Sequence, residues 1–309
     1  MSSIKGVIKV VEESAVHDGP GLRCLVFLKG CHLSCNWCQN PELLDPHPQI
    51  WVYKFLCKEC GKCEEVCPTD AIDLKREKRV DNEKCLGVSC NKCVEVCPHG
   101  AMKVVGYETT AEELFQHVSK YQLFYDHSDN GGVTITGGEP LHQAEFTAEV
   151  MRLCQTRGIH TALESSLYAK YENLADVAEH CSLIMCDIKH MDDEKHMKAT
   201  GVSNRLILEN LKRLDQDFEG DIVVRIPLVP GFNDNVENVT RTLDFLDGFE
   251  HVKQIDLLPF NVFPAVKYDA LSIDWPYKGV ETQTDEDIEK LRKVTEQYPA
   301  LKCTIGGLW

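Results

Sequence analysis

Residues 22–38 read LRCLVFLKGCHLSCNWC and join a predicted buried strand to three closely spaced cysteines. The apolar, partly β-branched run at residues 22–29 predicts a strand inside a sheet. Cys31, Cys35 and Cys38 follow in the next loop with the spacing C-x3-C-x2-C. Three thiolates can hold three corners of a four-iron cluster, which leaves the fourth iron open to a ligand that is not protein. A chance triad or a fragment of a zinc site is the alternative.

Composition narrows the class of protein. The chain has 309 residues, a net charge of -16 and 16 cysteines. This acidity argues against nucleic acid as a partner, and the lack of a long apolar run or signal-like N-terminus predicts no membrane association and a cytoplasmic protein. Because that compartment keeps thiols reduced, we expect no disulfides. We expect the five scattered cysteines to be small buried apolar side chains, and these are Cys24, Cys154, Cys181, Cys186 and Cys303.

After residue 102 the chain alternates between predicted strands and helices. This pattern predicts an α/β fold with a parallel sheet, either open or curved into a partial barrel, with its site at the carboxyl ends of the strands. We predict strands at 132–136, 160–164, 182–188, 221–229, 252–259 and 302–305, and helices at 111–120, 143–157, 171–180, 205–214, 235–246 and 284–297.

Residues 52–102 differ in composition and contain eight cysteines in an internal repeat, KCEEVCP at 62–68 and KCVEVCP at 92–98. Each half has the spacing of a bacterial ferredoxin run, and in two-cluster ferredoxins the fourth cysteine ligates the other cluster. This rule predicts an inserted ferredoxin-like domain with two 4Fe–4S clusters, although zinc is an alternative. One cluster would be ligated by Cys57, Cys60, Cys63 and Cys97, and the other by Cys85, Cys90, Cys93 and Cys67.

The triad, with Trp37 just before its last cysteine, resembles the radical S-adenosylmethionine (SAM) superfamily. The resemblance implies that residues 1–51 and 103–309 form a partial (β/α)6 TIM-type barrel, and that residues 52–102 are inserted between its two parts. It also implies that SAM chelates the open iron of a third 4Fe–4S cluster. An electron then splits the S–C5′ bond and yields a 5′-deoxyadenosyl radical, so that the cofactor supplies the chemistry and the protein orients it.

The same resemblance implies a set of SAM contacts near the strand ends. Lys189 would pair with the SAM carboxylate and Asp187 with the ribose or a cation, because the two side chains share one face. A structural ion pair at the strand end and an ordinary Gly-Gly turn are the alternatives. The expected contacts are Trp37, Cys38, Gln39, Gly137, Gly138, Glu139, Glu164, Asp187, Ile188, Lys189 and Asn238.

Several further motifs resemble the activating enzymes of glycyl radical enzymes. They are DGPGLR at 18–23, CQNPE at 38–42, DIKH at 187–190, LLPF at 257–260 and Lys267-Tyr268. The match covers essentially the whole chain, and the insert makes the chain more similar to the activases of lyases other than pyruvate formate-lyase. One departure is Glu164, where some relatives carry Asp. The resemblance implies hydrogen abstraction from a glycine Cα of a partner enzyme, without an acid–base residue.

The expected partners follow from this resemblance. They are a glycyl radical enzyme and, as electron donor, a flavodoxin or ferredoxin, and we expect the chain itself to be a monomer. The insert clusters would relay electrons or, alternatively, brace the docking surface. Two rival functions remain open at this stage, a radical SAM enzyme acting on a small molecule or peptide, and a ferredoxin-type carrier fused to a scaffold.

Overall fold

A computed structural model describes residues 3–271 and 273–307 of the chain. Predicted strands and helices after residue 102 all occur, with ends that differ by a few residues. The strands are β1 (Lys5–Ala15), β2 (Arg23–Leu28), β3 (Gln49–Val52), β4 (Met102–Val105), β5 (Tyr107–Thr110), β6 (Gly132–Gly137), β7 (His160–Ser165), β8 (Leu183–Asp187), β9 (Asp221–Pro227), β10 (Val252–Leu258) and β11 (Lys302–Ile305).

The α-helices of the described residues begin with two short ones in the cysteine-rich segment and continue with those of the main fold. They are α1 (Lys62–Glu65), α2 (Lys92–Glu95), α3 (Ala111–Val118), α4 (Gln122–Asp126), α5 (Ala144–Thr156), α6 (Tyr171–Ala178), α7 (Asp193–Thr200), α8 (Arg205–Asp217), α9 (Val236–Leu246), α10 (Ala265–Leu271) and α11 (Asp285–Thr295). None of these helices, which lie within the described residues, is long and apolar enough to cross a bilayer.

Nine strands form one mostly parallel sheet in the order β11-β10-β9-β8-β7-β6-β2-β1-β5. Strands β2 and β6 to β11 run parallel to one another, which confirms the predicted parallel α/β fold. Strands β1 and β5 are antiparallel and extend the sheet beyond β2. The sequence analysis did not predict them, since pairing between an N-terminal strand and residues a hundred positions later leaves no local signal.

The main core lies between the sheet and its helices. Helix α5 is typical, because Phe146, Val150 and Cys154 recur along one buried face. The opposite side of the sheet has a small apolar cluster formed by Ala162, Leu183, Met185 and Val223. Three of the five scattered cysteines are buried as expected, whereas two are half-buried, namely Cys181 and Cys303.

Strands β3 and β4 pair with each other apart from the main sheet and carry the cysteine-rich segment between them. Paired residues run from Gln49 opposite Val105 to Val52 opposite Met102. The segment has its own small core, in which Ile50, Val52, Ile72, Val80 and Met102 pack with Cys63 and Cys93. This two-stranded base thus begins a few residues before the predicted boundary at 52 and ends a few residues after 102.

Candidate active site

A cavity of about 480 Å³ lies where the carboxyl ends of the parallel strands meet the loop of the cysteine triad. Its volume is in the range of small-molecule sites. Eight of the eleven expected SAM contacts line it, and the other three lie outside its wall. The wall contains Cys31, Cys35, Cys38, Trp37, Gln39, Gly137, Gly138, Glu164, Asp187 and Lys189, whereas Glu139, Ile188 and Asn238 are absent from it.

Backbone hydrogen bonds fix the loop that carries the triad. The amide of Ser34 donates to Thr200 O at 2.8 Å, and the amide of Asn36 donates to Ala199 O at 3.1 Å. Both carbonyls belong to the last turn of α7, whose carbonyls lack partners within the helix. The helix end is therefore satisfied by the loop, and the loop is held by the helix.

The three triad cysteines are half-buried in the cavity wall. Burial raises the pKa of Cys31 and of Cys38 to about 12, and it also raises the pKa of Cys35. Thiolates are the form that ligates iron, so iron must displace a proton from each sulfur on binding. The amide of Leu33 donates to Cys31 Sγ at 3.4 Å, an N–H···S contact of the kind that tunes cluster potentials.

A lysine from α10 clamps the end of this loop. Lys267 Nζ donates to Gln39 O at 3.1 Å and also bonds the Asn40 side chain. The same ammonium lies 3.0 Å from the buried carboxylate of Glu42, which Lys9 contacts from β1. The loop after Cys38 is therefore held by paired charges from two sides, with Lys267 of α10 on one and Lys9 of β1 on the other.

The Gly-Gly pair packs the end of β6 against the triad loop. A Cβ on Gly137 would lie 2.3 Å from the backbone nitrogen of Leu28, and a Cβ on Gly138 would lie 2.3 Å from Gly30 O. Only residues without a side chain allow this approach. The amide of Glu139 then donates to Gly30 O at 2.8 Å, so the turn and the triad loop form one wall of the cavity.

The Glu139 carboxylate is not part of the cavity wall, and its predicted contact with SAM stays a prediction. It is completely buried and accepts four hydrogen bonds, from Leu141 N, Ser165 Oγ, Ser166 N and Ser166 Oγ. A buried carboxylate needs such partners, and here three of the four donor atoms belong to Ser165 and Ser166 at the end of β7. Glu139 therefore ties β6 to β7 and positions the glycine turn through the backbone.

Asp187 and Lys189 do share one face, and their side chains meet at 2.7 Å. Burial opposes the charge on Lys189, yet the Asp187 carboxylate raises the pKa of this lysine above its usual value. One oxygen of the pair has spare capacity, because Asp187 Oδ1 is buried and has no hydrogen-bond partner among the described residues. Such an atom at a cavity wall fits a ligand that donates a hydrogen bond.

Arg225 forms the centre of a second ion-pair group in the same wall. Its guanidinium lies 2.8 Å from Glu164 Oε1 and 3.1 Å from Asp18 Oδ1. Glu164 Oε2 accepts a hydrogen bond from Thr136 at 2.7 Å. Arg225 Nε is buried and has no partner among the described residues, which provides a second unsatisfied group at the cavity.

Three carboxylates therefore face two cations around the cavity. Burial raises the pKa of Glu164 to about 7; Arg225 opposes this rise, whereas Asp18 and Asp187 add to it. Above pH 7, where Glu164 is ionised, one ammonium and one guanidinium cannot neutralise three carboxylates. The surplus negative charge suits a ligand with a net positive charge, and a sulfonium with an ammonium and a carboxylate has that charge.

Asn238 and Ile188 lie behind the wall. Asn238 is 2% exposed, and its side-chain oxygen accepts from Met191 N at 3.0 Å. Ile188 is 2% exposed and belongs to the main core, as its alternation with Asp187 and Lys189 requires. Asn238 Nδ2 is buried and has no hydrogen-bond partner among the described residues, and the predicted SAM contacts of Asn238 and Ile188 stay predictions.

The eight remaining cluster-type cysteines form two groups, each around its own small cavity. Cys57, Cys60, Cys63 and Cys97 line one cavity, and Cys67, Cys85, Cys90 and Cys93 line the other. These are the groups that the crossed ferredoxin rule gives. The repeat is also visible in the hydrogen bonds, since Ala71 N donates to Cys67 Sγ and Ala101 N to Cys97 Sγ, both at 3.2 Å.

The sequence analysis missed Arg225 and did not assign Asp18 a role in the site. A signal for Arg225 was present, because it is a charged residue within the apolar strand sequence DIVVRIP. Alternation along β9 places Arg225 and Val223 on the inner face of the sheet. Asp18 lies in a loop, so nothing local in the sequence indicates that it reaches the cavity.

Comparisons with known proteins support the same kind of site as the geometry does. Residues 25–246 match the profile of the Radical SAM superfamily. The chain is 38% identical over 309 residues to the (2S)-3-sulfopropanediol dehydratase activating enzyme of Klebsiella oxytoca, covering 97% of both chains. It is 36% identical over 301 residues to the choline trimethylamine-lyase activating enzyme of Oleidesulfovibrio alaskensis, covering 95% of this chain and 96% of that protein.

A solved structure supports the fold alone. Streptococcus suis SuiB bound to the precursor peptide SuiA superposes with a TM-score of 0.54 at 10% identity, covering 94% of this chain and 50% of that one. At this identity the likeness carries no argument about substrate.

Proposed function

Because the chain belongs to the radical SAM superfamily and is an activating enzyme of a glycyl radical enzyme, we propose specific roles for the residues of its cavity. Bound SAM and a 4Fe–4S cluster supply the reductive cleavage of the S–C5′ bond and the radical that removes a hydrogen atom from a glycine Cα. The observation that carries the proposal is the position of the three triad cysteines in one wall with unsatisfied polar atoms of Asp187 and Arg225.

Cys31, Cys35 and Cys38 would ligate the cluster, and the neighbouring residues would orient SAM. Lys189 offers an ammonium to the SAM carboxylate, and the free oxygen of Asp187 accepts a hydrogen bond from the ligand. Backbone groups of Gly137 and Gly138 border the same space. Trp37, which is 4% exposed and packs 5.0 Å from the Phe232 ring, excludes water from one side.

We further propose that the cysteine-rich segment is a ferredoxin-like insert with two additional 4Fe–4S clusters. Two cavities, each lined by four of these cysteines and each including one of the repeated Cys-Pro cysteines, support this over zinc. The clusters would pass electrons from a flavodoxin or ferredoxin to the triad cluster. A monomer in the reducing cytoplasm would keep all eleven ligating thiols available.

The partner is expected among glycyl radical enzymes that act on small polar substrates, because the relatives are named as activases of a sulfopropanediol dehydratase, a choline lyase and a trans-4-hydroxy-L-proline dehydratase. The sulfopropanediol relative has the highest identity among these three. The cavity faces the strand ends, so a glycine-bearing loop of the partner would enter there, where glycine offers no side chain to obstruct its approach.

The test is direct activation. Reduced protein, SAM and each of these three lyases, together with any glycyl radical enzyme encoded beside the gene, are mixed without oxygen. We expect a doublet electron-spin signal with one lyase and one 5′-deoxyadenosine per radical, and none with a Cys35→Ala variant. Formation of 5′-deoxyadenosine coupled to a small substrate, without any protein partner, would instead support the rival small-molecule enzyme.

A further inference from the structure

We propose that the outer end of the cysteine-rich segment is a docking surface for an acidic one-electron carrier protein. The surface consists of Lys54, Lys58, Lys62 and Lys103 around Phe55, and we call it the lysine rim. This inference rests on the two clusters proposed above, and it adds which of them receives the electron first and what kind of partner delivers it.

The direction of β3 and β4 establishes which cysteine group is farther from the main sheet. Strand β3 leaves the triad loop at Gln49, and β4 leads from Val105 into β5 of the main sheet. Val52 and Met102, which pair with each other, therefore mark the far end of this hairpin. The cavity of Cys57, Cys60, Cys63 and Cys97 includes Ala101 and Met102 in its wall, so this group is the outer one.

The other cysteine group is nearer to the triad. Its cavity includes Ile50 and Gly87, and a Cβ on Gly87 would lie 3.6 Å from Pro48 O. Pro48 is four residues from Leu44, whose carbonyl accepts a hydrogen bond from Cys31 N at 3.2 Å. The group of Cys67, Cys85, Cys90 and Cys93 thus lies between the outer group and the triad, which gives a single order for electron transfer.

Two lysines of the rim lie at the outer group, and the other two lie near Phe55, since Lys54 precedes it in the chain and Lys103 contacts Tyr53. Lys58 and Lys62 line the cavity of that group, and Cys60 beside them is exposed. Phe55 is 70% exposed, although it is a large apolar side chain. Its ring lies 5.7 Å from that of Tyr53, and Lys103 Nζ lies 5.1 Å from the same Tyr53 ring. An exposed aromatic ring bordered by charges is typical of a protein-binding surface.

The charge distribution selects an acidic partner. Residues 52–102 contain nine basic and nine acidic side chains, so the net charge of -16 of the polypeptide lies in the rest of the chain, and the two proposed clusters with their eight thiolates would add negative charge to the segment. Three acids lie near the rim in the chain: Glu59 pairs with Arg79 at 2.6 Å, Glu64 accepts from Leu74 N at 2.8 Å, and Glu65 is exposed. The main fold repels an acidic carrier, and the four lysines of the rim offer it complementary charge, which speeds association.

The electron balance is simple. The reduced carrier loses one electron and the outer cluster gains it, and the electron moves to the inner cluster and then to the triad cluster. Cleavage of one SAM consumes that electron, and no proton or further oxidant is required. Flavodoxins and ferredoxins are one-electron carriers with acidic surfaces, so they fit the rim in both charge and chemistry.

The test measures electron entry, separately from glycyl radical formation. A reduced flavodoxin is mixed with the reconstituted enzyme in a stopped-flow instrument, and bleaching of the cluster absorbance gives a second-order rate constant. The variant K58E/K62E should lower this constant about tenfold at low salt, with a smaller difference at high salt. Variant K290E/K293E makes the same change in net charge on the exposed face of α11, and it should stay within twofold of wild type.

Two controls separate this inference from the function on which it rests. Iron content near twelve atoms per chain and complete bleaching by dithionite test the clusters themselves, and their failure would remove the proposed insert function. If K58E/K62E loses iron, K54E/K103E tests the same rim without touching the cysteine runs. Equal rate constants in rim and α11 variants, or an equal decrease in both, would overturn the docking surface.

Discussion

Arg225 on β9 and Glu164 on β7 form an ion pair of 2.8 Å across the intervening strand β8. Neighbouring strands are about 4.8 Å apart, so these two long side chains bridge the inner face of the sheet directly beneath the cavity. Glu164 also accepts from Thr136 on β6 at 2.7 Å. One connected polar group thus spans four strands, and several consequences can be measured.

Removing the guanidinium should destabilise the protein strongly. An Arg225→Met substitution leaves the half-buried carboxylates of Glu164 and Asp18 without their cation, a change that costs up to about 3–5 kcal/mol when the pair is fully buried and about 2 kcal/mol or more here. The matched control is Arg205→Met, because that arginine is 84% exposed and pairs with Asp193 at the surface. We expect a loss of at most about 1 kcal/mol there. Chemical denaturation measures both free energies of unfolding, and equal losses would contradict a central role for Arg225.

Affinity for SAM should depend on pH through Glu164. The pKa of this carboxyl is raised to about 7 by burial, so it is protonated below that pH and negatively charged above it. A cationic ligand prefers the charged form, and affinity therefore falls as pH falls. If only that form binds, the dissociation constant rises about tenfold from pH 8 to pH 6.

Calorimetric titration of SAM into the reconstituted enzyme at both pH values provides the measurement. A Glu164→Gln variant keeps the shape of the side chain but cannot titrate, so its affinity should be weaker and independent of pH. A variant with the same pH dependence as wild type would show that another group is responsible.

The glycine turn should not tolerate a methyl group. In a Gly138→Ala variant the new Cβ would lie 2.3 Å from Gly30 O and 2.7 Å from Leu43 O, both of which are backbone atoms that cannot move aside. We expect SAM affinity to fall at least about tenfold, since the wall of the cavity must shift. Gly231→Ala is the control, as no described atom lies within 4 Å of its Cβ and its φ of +71° costs only about 1–2 kcal/mol.

Substitution of the insert cysteines should impair electron delivery by flavodoxin more than the cleavage of SAM itself. Cys60→Ala in the outer group and Cys90→Ala in the inner group should each slow activation with flavodoxin at least about tenfold and remove about four irons. With dithionite the same variants should stay near wild-type rates. Full flavodoxin-supported rates in both variants would support the alternative that these clusters only brace the docking surface.

The sequence predicted the parts of the site that depend on local order. Cys31, Cys35 and Cys38 are close in the chain, and Asp187 and Lys189 share a face because strand side chains alternate. The partner of Glu164 could not be found in this way, because Arg225 is distant in sequence and meets it only once four strands are aligned. The hydrogen bonds of the Glu139 carboxylate could not be predicted for a similar reason, since the serines that bind it lie at the end of another strand.

The two antiparallel strands at the edge of the sheet, β1 and β5, could not be predicted from the sequence either. Strand β1 mixes Val and Ile with Lys and Glu, and its partner β5 is a short polar strand, YETT. Neither has the apolar run that predicts the central parallel strands. Their pairing depends on the return of the chain from the cysteine-rich segment, which is a property of the whole fold.

The central claim is that the triad cluster has one iron which SAM, not the protein, ligates. The direct measurement is electron–nuclear double resonance of the reduced triad cluster with SAM labelled by 15N at its amino group and by 17O at its carboxylate. A variant with both insert clusters removed avoids overlapping signals. We predict hyperfine coupling to both labels, and an unchanged cluster spectrum without coupling to either label would contradict the account.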